Sequence, residues 1–405
     1  MTYNIERLDD FGRGITFIDG KICFVEDALE GEEVDIIVER EKSKYLEASV
    51  KEIHSSSKNR KIPECPFYNF CGGCNIMHMS YKSQLSFKEN KIKNIIKKYF
   101  KETVKIKKII PTKEFIYRNK VSLKVKNNQI GYYKDKSNNL VNICKCLLCS
   151  GAINETIKLL NNIDLDNVDE VVIRSNYKDE VLVCFIGKSI NDEYYLKKLN
   201  SISNIVVLDN NKKRVIKGED YLIDKIDDLL FRVSYNSFFQ VNSFGVEALY
   251  NKVKEYAKLT GEERVLDLYC GTGTIGLFLA RDAKDVYGIE INEACIKDAF
   301  LNSKLNNIDN IDFKCNDVGK YKKKFKNIDL VVVDPPRSGL SLEAVDNVLS
   351  INTKKVIYVS CDPVTLARDL KLLSERYLIK EITPVDMFPN TYHVECVCLL
   401  MKKKS

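Results

Sequence analysis

The sequence predicts an α/β protein: a doubly wound, Rossmann-like domain at the C-terminal end, after a mixed α+β central domain and a small N-terminal β-barrel. Three observations predict it. From about residue 263, apolar strand-like runs alternate regularly with helical ones, as in a parallel sheet with helices on both faces. Residues 1 to about 55 carry short runs of period two broken at Gly20 and Gly31, the pattern of a small five-stranded barrel. The chain has 405 residues, more than one hydrophobic core usually serves.

In the first segment, ICFV and VDIIV alternate apolar and outward positions. A barrel of this size suits nucleic acid better than chemistry. The stretch SSSKNRKIPECPFYNFCGGC is rich in cysteine and glycine and has no regular period. A helix is expected near Tyr81 to Phe100, and residues 115 to 235 read as mixed strands and helices, among them VSLKV, EVVIRS, EVLVCFIG and SNIVVL. Domains are placed at 1–55, 56–235 and 236–405, with the helical region near 81–105 packing on the third. In that third domain RVLDLY, DVYGIEI, NIDFKC, DLVVVD and KKVIYVS read as strands. TGTIGLFLARDA, NEACIKDAFLNSKLNN, a stretch around Leu342 to Ser350 and TLARDLKLL read as helices.

Composition narrows the class. Hydrophobic residues make up 44% and charged residues 30%, a globular balance, and no run of eighteen apolar residues reads as a membrane span. The start, MTYNIERLDDFGRG, has neither an apolar signal region nor a small-residue cleavage site, so a cytoplasmic location and no membrane partner are expected. The net charge of +7 is uneven: Lys82 to Lys126 holds fifteen Lys or Arg against three Glu. Such a block attracts phosphate by counterion release, which makes nucleic acid the first partner to consider. A solvated helix face is the competing reading. Fourteen cysteines in a chain expected to stay in a reducing compartment argue for metal ligation or thiol chemistry rather than disulfides.

The candidate chemistry sits at strand ends. Asp267-Leu-Tyr-Cys-Gly271-Thr-Gly273-Thr follows the first strand of the third domain and opens a helix, so the backbone can turn sharply and approach a ligand. Gly271, Gly273 and Gly276 match the dinucleotide fingerprint only approximately, a weak signal alone. Glu290 ends the second strand, nineteen residues after Gly271, where a carboxylate accepts hydrogen bonds from ribose hydroxyls. An adenosine-bearing ligand follows, and the turn Asp334-Pro-Pro-Arg-Ser-Gly339 after the fourth strand points to S-adenosylmethionine. Cys361 ends the next strand, before an Asp-Pro turn and a helix, where a helix N-terminus favours the thiolate. A soft thiolate suits addition to an electron-poor ring carbon. Glu395, at the entry to the final strand, reads on its own as a surface residue.

Together these motifs resemble the class I RNA 5-methyluridine methyltransferases, specifically the 23S ribosomal RNA uracil-5-methyltransferases. Phe-Phe-Gln240-Val-Asn, Asp-Leu-Tyr-Cys-Gly-Thr-Gly, Asp-Pro-Pro-Arg-Ser-Gly, Val-Ser-Cys-Asp-Pro and Phe-Pro-Asn-Thr-x-His-Val-Glu occur in family order across nearly the whole chain. The resemblance implies that Cys361 adds to C6 of uracil, that C5 takes the methyl group, and that Glu395 removes the C5 proton. It implies cofactor contacts from Gln240, Tyr269, Gly271, Glu290, Asn316 and Asp334. Phe238, Gln240 and Asp334 would meet the target base, which must leave its stack.

The compact set Cys65, Cys71 and Cys74 reads as part of a cluster site that needs a fourth thiolate, such as a 4Fe–4S cluster. Cys144, Cys146 and Cys149 compete for that place. The resemblance aligns Cys146 best, with Cys144 next. Zinc is the main rival, since four thiolates also suit it. A radical S-adenosylmethionine cluster does not fit, because the first spacing here is five residues. The N-terminal barrel resembles the TRAM module, which binds RNA. Its presence implies 23S ribosomal RNA as partner, with transfer RNA as the alternative, for a monomer. A DNA cytosine-5 methyltransferase would carry Pro-Cys and Glu-Asn-Val motifs, and neither occurs. A non-catalytic RNA-binding iron–sulfur protein would need Cys361 and Glu395 only for packing.

Overall fold

The computed structural model describes residues 2–134, 137–321 and 327–404. Strands β1 (Thr2–Asn4), β2 (Arg7–Leu8), β3 (Gly14–Ile18), β4 (Lys21–Glu26), β5 (Glu33–Glu41) and β6 (Tyr45–Ser55) form a six-stranded sheet in the order β1-β5-β6-β4-β3-β2. Six strands replace the five expected, because β1 and β2, three and two residues long, are too short to show a period. Cys23, Val25, Val34 and Ala48 fill the interior.

Helix α1 (Tyr81–Tyr99) starts at Ser80, whose hydroxyl accepts from the Ser83 N–H. Its buried stripe, Ile92, Ile95 and Ile96, packs into the core of the C-terminal domain. Two lysines of the basic block point inward with it. Lys88 is fully buried in an ion pair with Asp386, and buried Lys91 donates to the Tyr392 carbonyl at 3.1 Å. The reading of the whole block as a phosphate-facing surface is corrected for these two. Lys82, Lys93, Lys97 and Lys98 remain exposed.

The central sheet runs β13-β12-β11-β10-β7-β8-β9, from β7 (Lys120–Lys126), β8 (Gln129–Tyr133), β9 (Leu140–Asn142), β10 (Val168–Ser175), β11 (Val181–Gly187), β12 (Asn204–Asp209) and β13 (Lys212–Lys217). Helices α2 (Gly151–Leu160) and α3 (Asp192–Lys198) share its core through Ile153, Ile157 and Tyr195. A ribbon, β14 (Tyr221–Ile226) and β15 (Leu229–Ser234), follows. Its Leu229, Phe231 and Val233 are buried with Val246 and Leu249 of α4 (Ser243–Ala257), in the core of the C-terminal domain.

The last sheet has the order β18-β17-β16-β19-β20-β22-β21. Its strands are β16 (Arg264–Leu268), β17 (Asp285–Glu290), β18 (Ile311–Cys315), β19 (Leu330–Val333), β20 (Lys355–Ser360), β21 (Tyr377–Val385) and β22 (Glu395–Lys402). Helices α5 (Thr274–Ala280), α6 (Glu293–Leu305), α7 (Leu342–Ile351) and α8 (Pro363–Leu373) connect them. Strands β16 to β20 are parallel, and Leu330 to Val333 of β19 are all buried because helices cover both faces. The strand order reverses between β16 and β19, which opens a crevice at their carboxyl ends.

The wholly parallel pattern stops at the end of the chain. Strand β22 inserts between β20 and β21 and runs antiparallel to both. No helix separates β21 from β22, and a parallel return needs a crossover long enough to span the sheet. The entry of β22 therefore lies at the edge where the parallel strands end. Among the described residues no helix is long and apolar enough to cross a membrane.

Candidate active site

The turn after β16 is built for close approach. Tyr269, Gly271 and Gly273 have φ of 63°, 54° and 80°, and a Cβ on Gly273 would lie 2.8 Å from the Phe313 ring. At the end of β17, Glu290 is held by two backbone donors: the Gly271 N–H reaches Oε2 at 3.2 Å and the Asn292 N–H reaches Oε1 at 2.8 Å. Asn316, just past β18, donates its N–H to the Glu290 carbonyl at 2.9 Å. Its side-chain oxygen accepts from the Asp317 N–H at 2.8 Å. Two glycines, an anchored carboxylate and an amide thus meet at the crevice, with the carboxylate as the acceptor that ribose hydroxyls need.

Beneath them is a residue to which the sequence reading assigned no role. Asp267 is fully buried, and among the described residues its carboxylate meets no side-chain hydrogen-bond partner, only the Gly276 backbone beside it. Burial, with the charges of Asp334 and Glu290, pushes its pKa up to about 8. Its signal in the sequence is a carboxylate inside an apolar strand, which alternation cannot distinguish from an outward position.

The register of β20 and β22 sets the second half of the site. Ser360, the last residue of β20, pairs with Cys396. Cys361, just past the strand, and Glu395, the first residue of β22, therefore lie at the same sheet edge, close enough for the Glu395 charge to act on the thiol. Glu395 is buried at 4% exposure, which corrects its reading as a surface residue. Burial, with the charge of Asp334, raises its pKa to about 8, while Arg337 acts against both. Burial alone raises Asp334 to about 7.

Cys361 itself is partly buried, just before Asp362 caps α8 through the N–H groups of Val364 and Thr365. The expected thiolate is not the form favoured here. Burial and the Glu395 and Asp334 charges push the thiol up to about 12, and a helix dipole, worth about 0.3–1 kcal/mol, does not balance two nearby carboxylates. Arg337 is the countercharge for both Cys361 and Glu395. It too went unassigned in the sequence, although it sits inside the Asp-Pro-Pro-Arg turn.

Gln240 is buried and Phe238 is 72% exposed, on the segment that enters α4. Asn242, the cap of α4, donates to the Met387 carbonyl at 2.8 Å, which ties this segment to the loop before Glu395. That loop is clamped along its length. Gln84 of α1 forms a reciprocal pair with Asn390, Nε2 to Oδ1 at 3.0 Å and N–H to Oε1 at 2.8 Å. Tyr117 donates to the Pro389 carbonyl at 3.1 Å, and Lys88 to that of Phe388 at 3.0 Å. These partners lie some 270 to 306 residues away in sequence, so only the fold brings them to the loop.

A second constellation lies in the central region. Cys65, Cys71, Cys74 and Cys146 line one cavity with Phe67, Tyr132 and Ile143. Cys144 is exposed and does not line it, and Cys149 is buried beside Cys146. Among the described residues, no three cysteine sulfurs form a group within 4.8 Å. Arg118 lines the same cavity, and its buried Nε has no partner. A group carrying net negative charge supplies what that guanidinium lacks.

Comparisons with known proteins give the family of the chain. Residues 80–403 match the family model for tRNA (uracil-5-)-methyltransferases, and residues 3–51 match the TRAM domain. An uncharacterized RNA methyltransferase of Clostridium tetani is 35% identical, over 98% of this chain and 96% of its own length. One from Staphylococcus aureus is 33% identical, over 99% and 98%. Among solved structures, the tRNA (uracil-54, C5)-methyltransferase of Pyrococcus abyssi in complex with S-adenosyl-L-homocysteine superposes with a TM-score of 0.80 at 30% identity. That match covers 99% of this chain and all of the other.

Proposed function

Because the chain belongs to the tRNA (uracil-5-)-methyltransferase family, we propose that it methylates C5 of a uridine in 23S ribosomal RNA through a covalent bond to Cys361. It is an S-adenosylmethionine-dependent RNA uracil-5-methyltransferase. The observation that supports the mechanism is the gathering of Cys361, Glu395 and Asp334 at one edge, Cys361 just past the last β20–β22 pair and both carboxylates acting on its thiol.

S-adenosylmethionine supplies an electrophilic methyl on a sulfonium centre. Glu290 would accept from its ribose hydroxyls, Tyr269, Gly271 and Asn316 would help to hold it, and Gln240 and Asp334 would serve both cofactor and base. Phe238 offers its exposed face to the flipped uracil. Cys361 loses its proton to water, helped by Arg337, and its sulfur bonds to C6 while the C5=C6 electrons shift towards C5 and the C4 carbonyl. C5 then takes the methyl as the donor's S–CH3 bond breaks. Glu395 removes the C5 proton, the C5=C6 bond reforms, and the C6–S bond breaks to release the thiolate.

The raised carboxylates set a pH dependence. A sulfonium beside Asp334 and Glu395 favours their ionised forms, so binding it releases protons and grows tighter as pH rises through about 7 to 8. S-adenosylhomocysteine lacks that charge. Calorimetry at about pH 6 and pH 8 should show the ratio of the two affinities rising by roughly tenfold; a flat ratio would remove these carboxylates from the sulfonium's surroundings.

The cavity of Cys65, Cys71, Cys74 and Cys146 is assigned to a 4Fe–4S cluster with a structural or RNA-positioning role, Arg118 balancing its charge. Cys146→Ser should lower the iron content of anaerobically purified protein, and Cys144→Ser should not. The reverse result would reassign the ligand, and zinc in place of iron would replace the cluster.

We assign residues 1–55 to an RNA-binding barrel, 56–235 to a central RNA-binding domain and 236–405 to the methyltransferase domain of a cytoplasmic monomer. A second substrate reading, the T-loop of transfer RNA, is favoured by the likeness to the archaeal tRNA enzyme. Mapping 5-methyluridine in RNA from cells with and without the gene separates them. Loss from 23S ribosomal RNA is the expected result; loss from transfer RNA alone overturns the first reading.

A further inference from the structure

Beside the catalytic loop, an aromatic ring stands half in solvent on a turn built to hold it there. Phe11 is 52% exposed. Its turn is pinned by Asp9, whose Oδ1 accepts from the N–H groups of Phe11 and Arg13, both at 2.9 Å, and whose Oδ2 holds the Arg13 Nε at 2.8 Å. Gly12, with φ of 85°, closes the turn, and a Cβ there would lie 2.5 Å from Ile76. A lone exposed apolar side chain needs no explanation. A rigid turn that keeps one on display does, because the same ring is free to fold back in a looser loop.

The ring continues a row that starts in the active site. Phe11 packs edge-on against Tyr392, with centroids 5.2 Å apart at 84°. Tyr392 lies against His393 at 4.4 Å, two residues before Glu395. The Lys91 ammonium sits 5.1 Å over Tyr392 and braces it. His393 lies within electrostatic reach of Arg337 and of Asp362, the neighbour of Cys361. A strand leaving the catalytic cleft along this row passes from the last sheet onto the barrel at Phe11.

We propose that Phe11 is a stacking platform for a nucleotide adjacent to the target uridine, so that the substrate must be unpaired for at least one residue beyond the base it offers. This rests on the reading of the substrate as RNA. Every base has a π face, so such a platform is tolerant of sequence. Arg13 is paired with Asp9 and its guanidinium lies 5.5 Å from the Phe11 centroid, backing the ring. The contact with a base is therefore made by the ring and depends little on salt, unlike contacts from exposed lysines.

The test uses the full chain, S-adenosylmethionine and a single-stranded RNA of about twenty nucleotides with one 5-fluorouridine, whose C5 fluorine blocks the last proton removal and traps the adduct. A 2-aminopurine on its 5′ or 3′ side reports stacking by quenching. Quenching on one side is expected in the wild type, and Phe11→Ala should abolish it. The same change should weaken RNA binding by roughly 5- to 150-fold at low and high salt alike, with Phe11→Tyr restoring it and cofactor affinity unchanged. Wild-type binding or unchanged quenching in Phe11→Ala overturns the platform. Should the wild type trap no adduct, the covalent reading falls, while weakened binding by Phe11→Ala but not Phe11→Tyr still supports the platform.

Discussion

Cys361→Ala is expected to fold, to bind S-adenosylmethionine as before, and to transfer no methyl group, a loss of at least roughly 10⁴-fold. Alanine keeps the small volume at the end of β20 and leaves the Asp362 cap of α8 in place. What goes is the sulfur proposed to bond to C6 and drive electrons onto C5. An unactivated uracil ring is a poor nucleophile towards a sulfonium, so positioning alone does not carry the reaction. Radiolabel transfer to RNA checks rate and calorimetry checks cofactor binding. Turnover near that of the wild type would remove the covalent step.

Glu395→Gln separates the end of the reaction from its beginning. The change is nearly isosteric and removes a carboxylate whose burial holds its pKa near 8, so the fold loses no stabilising charge. In the proposed mechanism, bond formation at C6 and methyl transfer to C5 do not need the base. Release does, because the thiolate leaves only when the C5 proton has gone. A covalent protein–RNA species should build up, stable in denaturing gels and carrying the transferred methyl, while multiple turnover falls by roughly 10²- to 10⁴-fold. A variant that turns over slowly without such a species would assign the proton removal elsewhere.

Much of this site was legible one motif at a time. Glu290, Asp334 and Cys361 each follow a buried apolar run, and in a parallel sheet such runs all end at the same edge. Gly271 stands out because a turn between strand and helix needs its backbone conformation, whereas Tyr269, with φ of 63°, carries no such signal and was reached only through the family resemblance. Cys146 could not be separated from Cys144 and Cys149 by spacing. The fold separates them by exposing Cys144 and lining the cavity with Cys146.

Other features had no local signature. Lys88 and Lys91 look like the other lysines around them, and only their partners Asp386 and Tyr392, about 300 residues on, reveal that they point inward. The raised pKa of Cys361 is a property of its neighbours, and none of Glu395, Asp334 and Arg337 adjoins it in sequence.

The sequence by itself determined the alternating α/β layout, the adenosine-type crevice and the residue types able to do the chemistry, because periodicity and turn composition are local properties of the chain. The tertiary structure alone decided that Glu395 is buried at the same edge as Cys361, that α1 clamps the loop carrying it, and that Phe11 stands beside that loop. Each of these depends on which strand lies next to which and in which direction. That choice is made by packing between segments far apart in the chain, where no local pattern reaches.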